Sequence, residues 1–124
     1  MTGVPFTVVL ERTEPVVLMS AAGEVDAASV AELDAAFEQA ISEHQAHVVF
    51  DACDITFIDS TGISALVGGL RRLNRSRRRL AIACGPGGSV GRALQVTGLD
   101  HTFECHPDRE AALEALSGAP LIGR

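Results

Sequence analysis

The residues best suited to chemistry stand together at one junction. The run "DACDITFIDSTG" carries an apolar segment into Asp59, Ser60, Thr61 and Gly62, and a helical pattern starts immediately afterwards. A serine at such a place serves as a nucleophile, as a helix cap or as the acceptor of a phosphate. Asp59, Ser60 and Thr61 can each cap the helix by accepting a hydrogen bond from its free N–H groups, and capping alone needs only one of them. Gly62 costs roughly 1 kcal/mol against alanine in a helix interior, which makes sense if something approaches the backbone closely there.

The nucleophile reading meets obstacles. Ile58 stands where the nucleophile elbow GxSxG needs its first glycine. No motif places a histidine as the base: His44 and His47 flank a helix-to-strand turn, and His101 and His106 bracket a strand, where exposed histidines are common. No metal-ligand spacing recurs, so neither metal nor cofactor is expected. "GPGGSVGR", residues 85–92, follows a strand and opens a helix, the right context for phosphate contact. It matches neither GxxxxGK[ST] nor GxGxxG and lacks lysine, so it reads as a flexible turn. A small nucleotide-binding or hydrolytic domain using Ser60 or the 85–92 turn stays as the alternative of another class.

The elements that must position this junction follow from periodicity. Val4 to Glu11 and Val16 to Gly23, separated by "RTEP", read as a hairpin. From Ala27 to about His44, Val30, Leu33, Ala36, Phe37, Ala40 and Ile41 recur at helical spacing, with Asp26 as cap. "HVVFD", 47–51, is a short buried strand. Ile63, Leu66, Val67 and Leu70 mark the next helix, "LAIAC" (80–84) the next strand, and a third helix ends near Gly98. "HTFEC", 101–105, is the last strand, and a final helix opens on Pro107 and Asp108 and stops at Gly118. The alternation after the hairpin calls for an α/β domain with parallel strands joined by right-handed crossovers. Residues 1–118 make one domain, and 119–124 a frayed tail.

Composition narrows the partners. The 124 residues carry a net charge of −6 and neither tryptophan nor tyrosine, which argues against nucleic-acid binding. All ten basic residues are arginine, and six lie in "RRLNRSRRR", Arg71 to Arg79. That run is read as closing a helix and solvating the following turn, so that glutamine at 77, 78 and 79 costs less than about 1 kcal/mol. Docking and nucleic-acid contact are its alternatives. Cys53, Cys84 and Cys105 are far apart in sequence, form no CxxC pair and read as small hydrophobes. No run is long and apolar enough to span a membrane and no signal sequence is visible, so the expected location is the cytoplasm.

Three stretches together resemble the STAS domain of bacterial anti-sigma factor antagonists: "FDACDITFIDSTGISALVGGLRRL", "GEVDAASVAEL" (23–33) and "ALQVTGLDHTFECHPDREAAL" (93–113). The resemblance covers nearly the whole chain in order and with close spacing. It implies a small mixed sheet with about four helices in a β-α superhelix. It also implies that Ser60 is phosphorylated by an anti-sigma factor with serine kinase activity. Thr61, standing where many members have a second serine, is the less favoured acceptor. The implied partner surface comprises Asp26, Asp59, Ser60, Thr61, Gly62 and Ser64. The implied protein is not an enzyme. Unphosphorylated, it binds the kinase and frees a sigma factor; a serine phosphatase restores it. It works as a monomer or weak dimer without contacting nucleic acid or membrane. The same resemblance also fits a regulatory or scaffold subunit of another stress-signalling or partner-switching complex.

Overall fold

A computed structural model of the chain describes residues 5–13, 15–43, 45–85 and 87–118. The expected hairpin is β1 (Thr7–Arg12) and β2 (Val16–Val25), paired antiparallel, with the Thr13 N–H and hydroxyl both donating to the Val16 carbonyl at the turn. The chain continues through α1 (Val30–Glu43), β3 (His47–Ile58), α2 (Ser60–Arg75), β4 (Leu80–Ala83), α3 (Ser89–Val96), β5 (Glu104–His106) and α4 (Arg109–Ser117). The sheet order is β1-β2-β3-β4-β5, parallel from β2 onward.

Because that order never reverses, crossovers of one hand put all their helices on one face. Two separate apolar clusters show the result. Val17, Met19, Val48, Phe50, Leu80 and Ile82 point toward α1, α2 and α3 and pack with Leu33, Phe37, Leu66, Leu73, Val90 and Leu94. Val16, Leu18, Val49, Ala81 and Ala83 point the other way and pack against Ala112 and Leu116 of α4. Alternation along each strand thus feeds two cores, which is why the central strands read as continuous apolar runs. No helix among the described residues is long and apolar enough to cross a membrane.

Several expectations change. β3 is not short: it runs twelve residues, with two register shifts against β2 between Ser20 and Glu24. Its interior Asp51, buried, is matched by Arg109 Nε at 2.8 Å, and that guanidinium also donates to Ser20 Oγ at 3.2 Å. The last strand is Glu104–His106, because Thr102 and Phe103 fold back onto the Leu99 carbonyl and Phe103 enters the core. The predicted left-handed glycine at the end of α3 is present, with Gly98 at φ 75°. Asp108 caps α4 by accepting from the Ala111 N–H. His47 is buried rather than exposed, and its Nδ1 accepts the Arg79 N–H at 3.0 Å.

The cysteines are not all buried hydrophobes, and they are not far apart. Cys53 and Cys105 are exposed, whereas Cys84 is half-buried with its thiol pushed up to about 12 by burial. Cys84 and Cys105, both free thiols, line one small cavity, and Cys53 Sγ accepts the Gly85 N–H at 3.4 Å. His44, Pro86, Val4 at the expected start of the first strand and the expected frayed tail lie outside the described residues.

The arginine run separates into two groups. Arg72 Nη1 pairs with Glu38 at 2.7 Å, and Arg79 Nη2 with Glu104 at 2.6 Å. Arg78 is only 5% exposed and donates to the carbonyls of Ile41 and Ala46 and to Ser76 Oγ. The expectation that glutamine at 77, 78 and 79 is almost free therefore fails at Arg78. Arg71, Arg75 and Arg77 remain exposed, Arg77 in the left-handed region at φ 59°.

Candidate functional site

β3 delivers the Asp59-Ser60-Thr61-Gly62 junction to the edge of the α-helical layer. Asp59 is extended, at φ −108° and ψ −170°, and its backbone N–H donates to the Val25 carbonyl at 3.1 Å. Val25 pairs with Ile58, so the ends of β2 and β3 lie side by side and bring the Asp26 turn next to the start of α2. Both turns are built the same way. Asp26 Oδ1 accepts from the N–H groups of Ala28 and Ser29 and from the Ser29 hydroxyl, and Asp59 Oδ1 accepts from the N–H groups of Thr61 and Gly62 at 3.0 and 3.2 Å. Asp26 thus heads the turn that leads into α1, which begins at Val30 rather than Ala27.

Among the three residues able to cap α2, Asp59 does so. The Thr61 hydroxyl donates to Asp59 Oδ1 at 2.6 Å, and this bond, with the two N–H groups, holds the Asp59 carboxyl below the usual carboxylate range. Thr61 is therefore committed to the cap. Ser60 is exposed, and its hydroxyl makes no side-chain hydrogen bond among the described residues, so no base lies against it. Ser64, one turn further along, is also exposed.

Gly62 is buried, and the close approach expected there comes from within the fold. A Cβ at this position would stand 2.6 Å from Ile58 Cγ1 and 2.7 Å from Val25 Cγ1. The glycine lets the first turn of α2 settle onto the ends of β2 and β3, and so sets the height at which Ser60 is presented.

Beside Ser60 runs a groove of about 710 Å³ between the start of α2 and α3. Phe57, Ile63, Ala93 and Val96 give it an apolar lining, while Ser60 and Ser64 stand along one wall. Phe57 is 47% exposed and Val96 81% exposed, large apolar side chains left in solvent next to a polar junction. Of its described lining residues, only Asp59 and Arg92 are charged. The Ser89 hydroxyl ties α3 to β3 by donating to the Thr56 carbonyl at 2.8 Å.

Sequence reasoning placed Asp26, Asp59, Ser60, Thr61, Gly62 and Ser64 around one helix start, and the fold does bring them together. It missed the far wall. Val96 carried a usable signal, since Val90 and Leu94 define the buried side of α3 and residue 96 falls out of phase with them. Arg92 carried none, because a single arginine on an exposed helix face is ordinary.

Comparison with known proteins agrees with this architecture. The STAS domain matches residues 7–112. The anti-sigma-F factor antagonist RsfB of Mycobacterium tuberculosis is 25% identical over 115 residues, 93% of either chain. The crystal structure of an anti-sigma factor antagonist from Mycobacterium paratuberculosis superposes with a TM-score of 0.81 at 24% identity, covering 90% of this chain and 94% of that one. The Bacillus cell fate determinant SpoIIAA, solved in its phosphorylated form, gives 0.67 at 22% identity, covering 88% and 98%. With the match spanning both cores and the Ser60 junction, the chain belongs to the STAS domain family.

Proposed function

We propose that this protein is an anti-sigma factor antagonist whose binding is switched by phosphorylation of Ser60. The observation that carries the reading is the state of that hydroxyl: exposed, uncommitted and at the first position of a helix whose cap is supplied by a neighbour. A phosphate is added there without dismantling the cap. Thr61, whose hydroxyl is bonded to Asp59, is the poorer acceptor. The names of the related proteins and the phosphorylated state of SpoIIAA point in the same direction.

In this reading the unphosphorylated protein binds an anti-sigma factor with serine kinase activity, using the Asp26 and Asp59 turns, Ser64 and the apolar groove, and a sigma factor is freed. The kinase then transfers the terminal phosphoryl group of a nucleoside triphosphate. The Ser60 Oγ–P bond forms, the bond to the leaving diphosphate breaks, and the hydroxyl proton passes to solvent. The product carries about −1.5 to −2 additional charge beside Asp59. One like-charge pair about 6 Å apart, at an effective dielectric of ~20, costs on the order of 3 kcal/mol before screening, about two decades of affinity. The partner is released, and a serine phosphatase resets the cycle.

A pull-down from the native cytosol, with and without ATP, tests this when the bait is weighed intact. The expected result is a kinase-fold partner retained without ATP, and one phosphate gained and the partner lost with it. Ser60→Ala should hold the partner under both conditions. Phosphate appearing on Ser60→Ala but not on Thr61→Ala moves the acceptor, and release from Ser60→Ala sinks the switch.

A further inference from the structure

A phosphate on Ser60 has an electrostatic problem that the helix start does not solve. The N–H groups of Thr61 and Gly62, which would otherwise face an anion, already donate to the Asp59 carboxylate, and the Ile63 N–H donates to the Asp59 carbonyl. The dianion would thus stand beside a carboxylate held in its charged form, at a helix end whose donors are mostly taken. A counter-charge has to come from another element.

Only one cation lines the same groove among the described residues. Arg92, on the second turn of α3, is exposed and has no ion-pair partner among them, unlike Arg72, Arg79 and Arg109. Asp59 is the groove's one acid among the described residues, and the remaining polar side chains along it, such as Ser64 and Ser89, are neutral. On its far side Arg92 also borders a smaller cavity that contains Asp100, the one acid able to compete for it there. A guanidinium presents paired donors that match phosphate oxygens, and a dianion outcompetes a single carboxylate.

We propose that Arg92 reads the phosphate within this chain: its guanidinium pairs with phosphorylated Ser60 across the groove and covers the apolar strip formed by Phe57 and Val96. Release of the partner then has two parts, repulsion by the added charge and closure of the surface the partner used. Ser64 lines the same groove. The inference rests on the assignment of Ser60 as the modified residue, so its test installs the modification directly.

Phosphoserine is introduced at position 60 by genetic encoding in the full chain, with Arg92 intact, as Arg92→Gln and as Arg92→Lys. Phosphorus NMR then follows the second ionisation of the phosphate, ordinarily near pH 6. A nearby cation favours the dianion, so Arg92 should lower that midpoint by about half a unit or more relative to Arg92→Gln, with Arg92→Lys between them. Methyl and ring signals of Val96 and Phe57 should shift on phosphorylation only when residue 92 is cationic. Equal midpoints in the three proteins, or groove shifts that persist in Arg92→Gln, overturn the proposal. If the native kinase modifies some other residue, it is the functional assignment that fails; the behaviour of the installed phosphate is measured regardless.

Discussion

The two ends of α2 carry the chain's most conspicuous polar clusters, and the fold treats them oppositely. At the carboxyl end, arginines that look like a displayed patch are partly consumed: Arg78 is buried and donates to the Ile41 and Ala46 carbonyls and to Ser76 Oγ, and Arg72 and Arg79 are tied to acids on other elements. At the amino end, a modest Asp-Ser-Thr-Gly leaves one hydroxyl unclaimed because its neighbours satisfy the helix. Charge density in a sequence is therefore a weak guide to what a surface offers. What matters is which groups remain after the backbone has been satisfied.

The largest break in this contrast should come from Arg78. Its replacement by methionine keeps much of the apolar stem but strips donors from the Ile41 and Ala46 carbonyls, and each buried acceptor left alone costs about 1 to 3 kcal/mol. We expect a loss of about 3 kcal/mol in urea denaturation. Arg77→Gly, one residue away, should instead leave stability unchanged or raise it by up to about 1 kcal/mol, since glycine suits its left-handed φ of 59°. Comparable losses for both would mean that the run acts as a unit and that burial of Arg78 is not what distinguishes it.

The same contrast explains what was legible in the sequence. Apolar periodicity gave α1, α2 and the hairpin, because burial on a repeating face is a local property of the chain. β3 was read seven residues short because Asp51 and Asp54 interrupt its apolar run, and the partner that makes Asp51 tolerable, Arg109, lies 58 residues away. His47 and Arg78 were misjudged for one reason: each is fixed by a contact between elements that no local window contains. The Ser60 junction was legible because its defining bonds span two or three residues. The groove beside it was not, since β3, α2 and α3 build it jointly.

A smaller effect is expected at Asp59. Asp59→Ala removes the cap of α2 and should cost about 1 kcal/mol near neutral pH. Because the folded carboxyl is held below its ordinary value, its charge-dependent contribution is complete above the unfolded pKa, about 3.9, and is lost as pH falls through the lower folded value. The stability gap between wild type and Asp59→Ala should therefore narrow below about pH 4. A gap that stays constant from pH 7 down to pH 2.5, followed by chemical denaturation, would show that the carboxylate charge is not what the cap uses.

The smallest effect belongs to Ser60 itself. A free, exposed hydroxyl contributes almost nothing to the folded state, so Ser60→Ala should change stability by less than about 0.5 kcal/mol, although it removes the proposed phosphate acceptor. Phosphorylation should be nearly as quiet. The buried face of α2, built on Ile63, Leu66 and Leu73, does not include position 60, and the cap bonds of Asp59 survive the modification. In the free protein both groups face water, which screens their repulsion to about 1 kcal/mol, well below its value at a covered interface, and the residual attraction of the helix dipole, of similar size, acts against it. Since 1 kcal/mol moves the melting temperature of a domain of 60–100 residues by roughly 4 to 8 °C, the net shift here should stay within about 5 °C. Calorimetry of the two forms, with backbone NMR of α2, decides the matter. A fall above about 10 °C, or loss of the helical signals after Ser60, would mean that the switch operates by unfolding α2, and the free hydroxyl would then be a weak point in the fold instead of a group the fold leaves available.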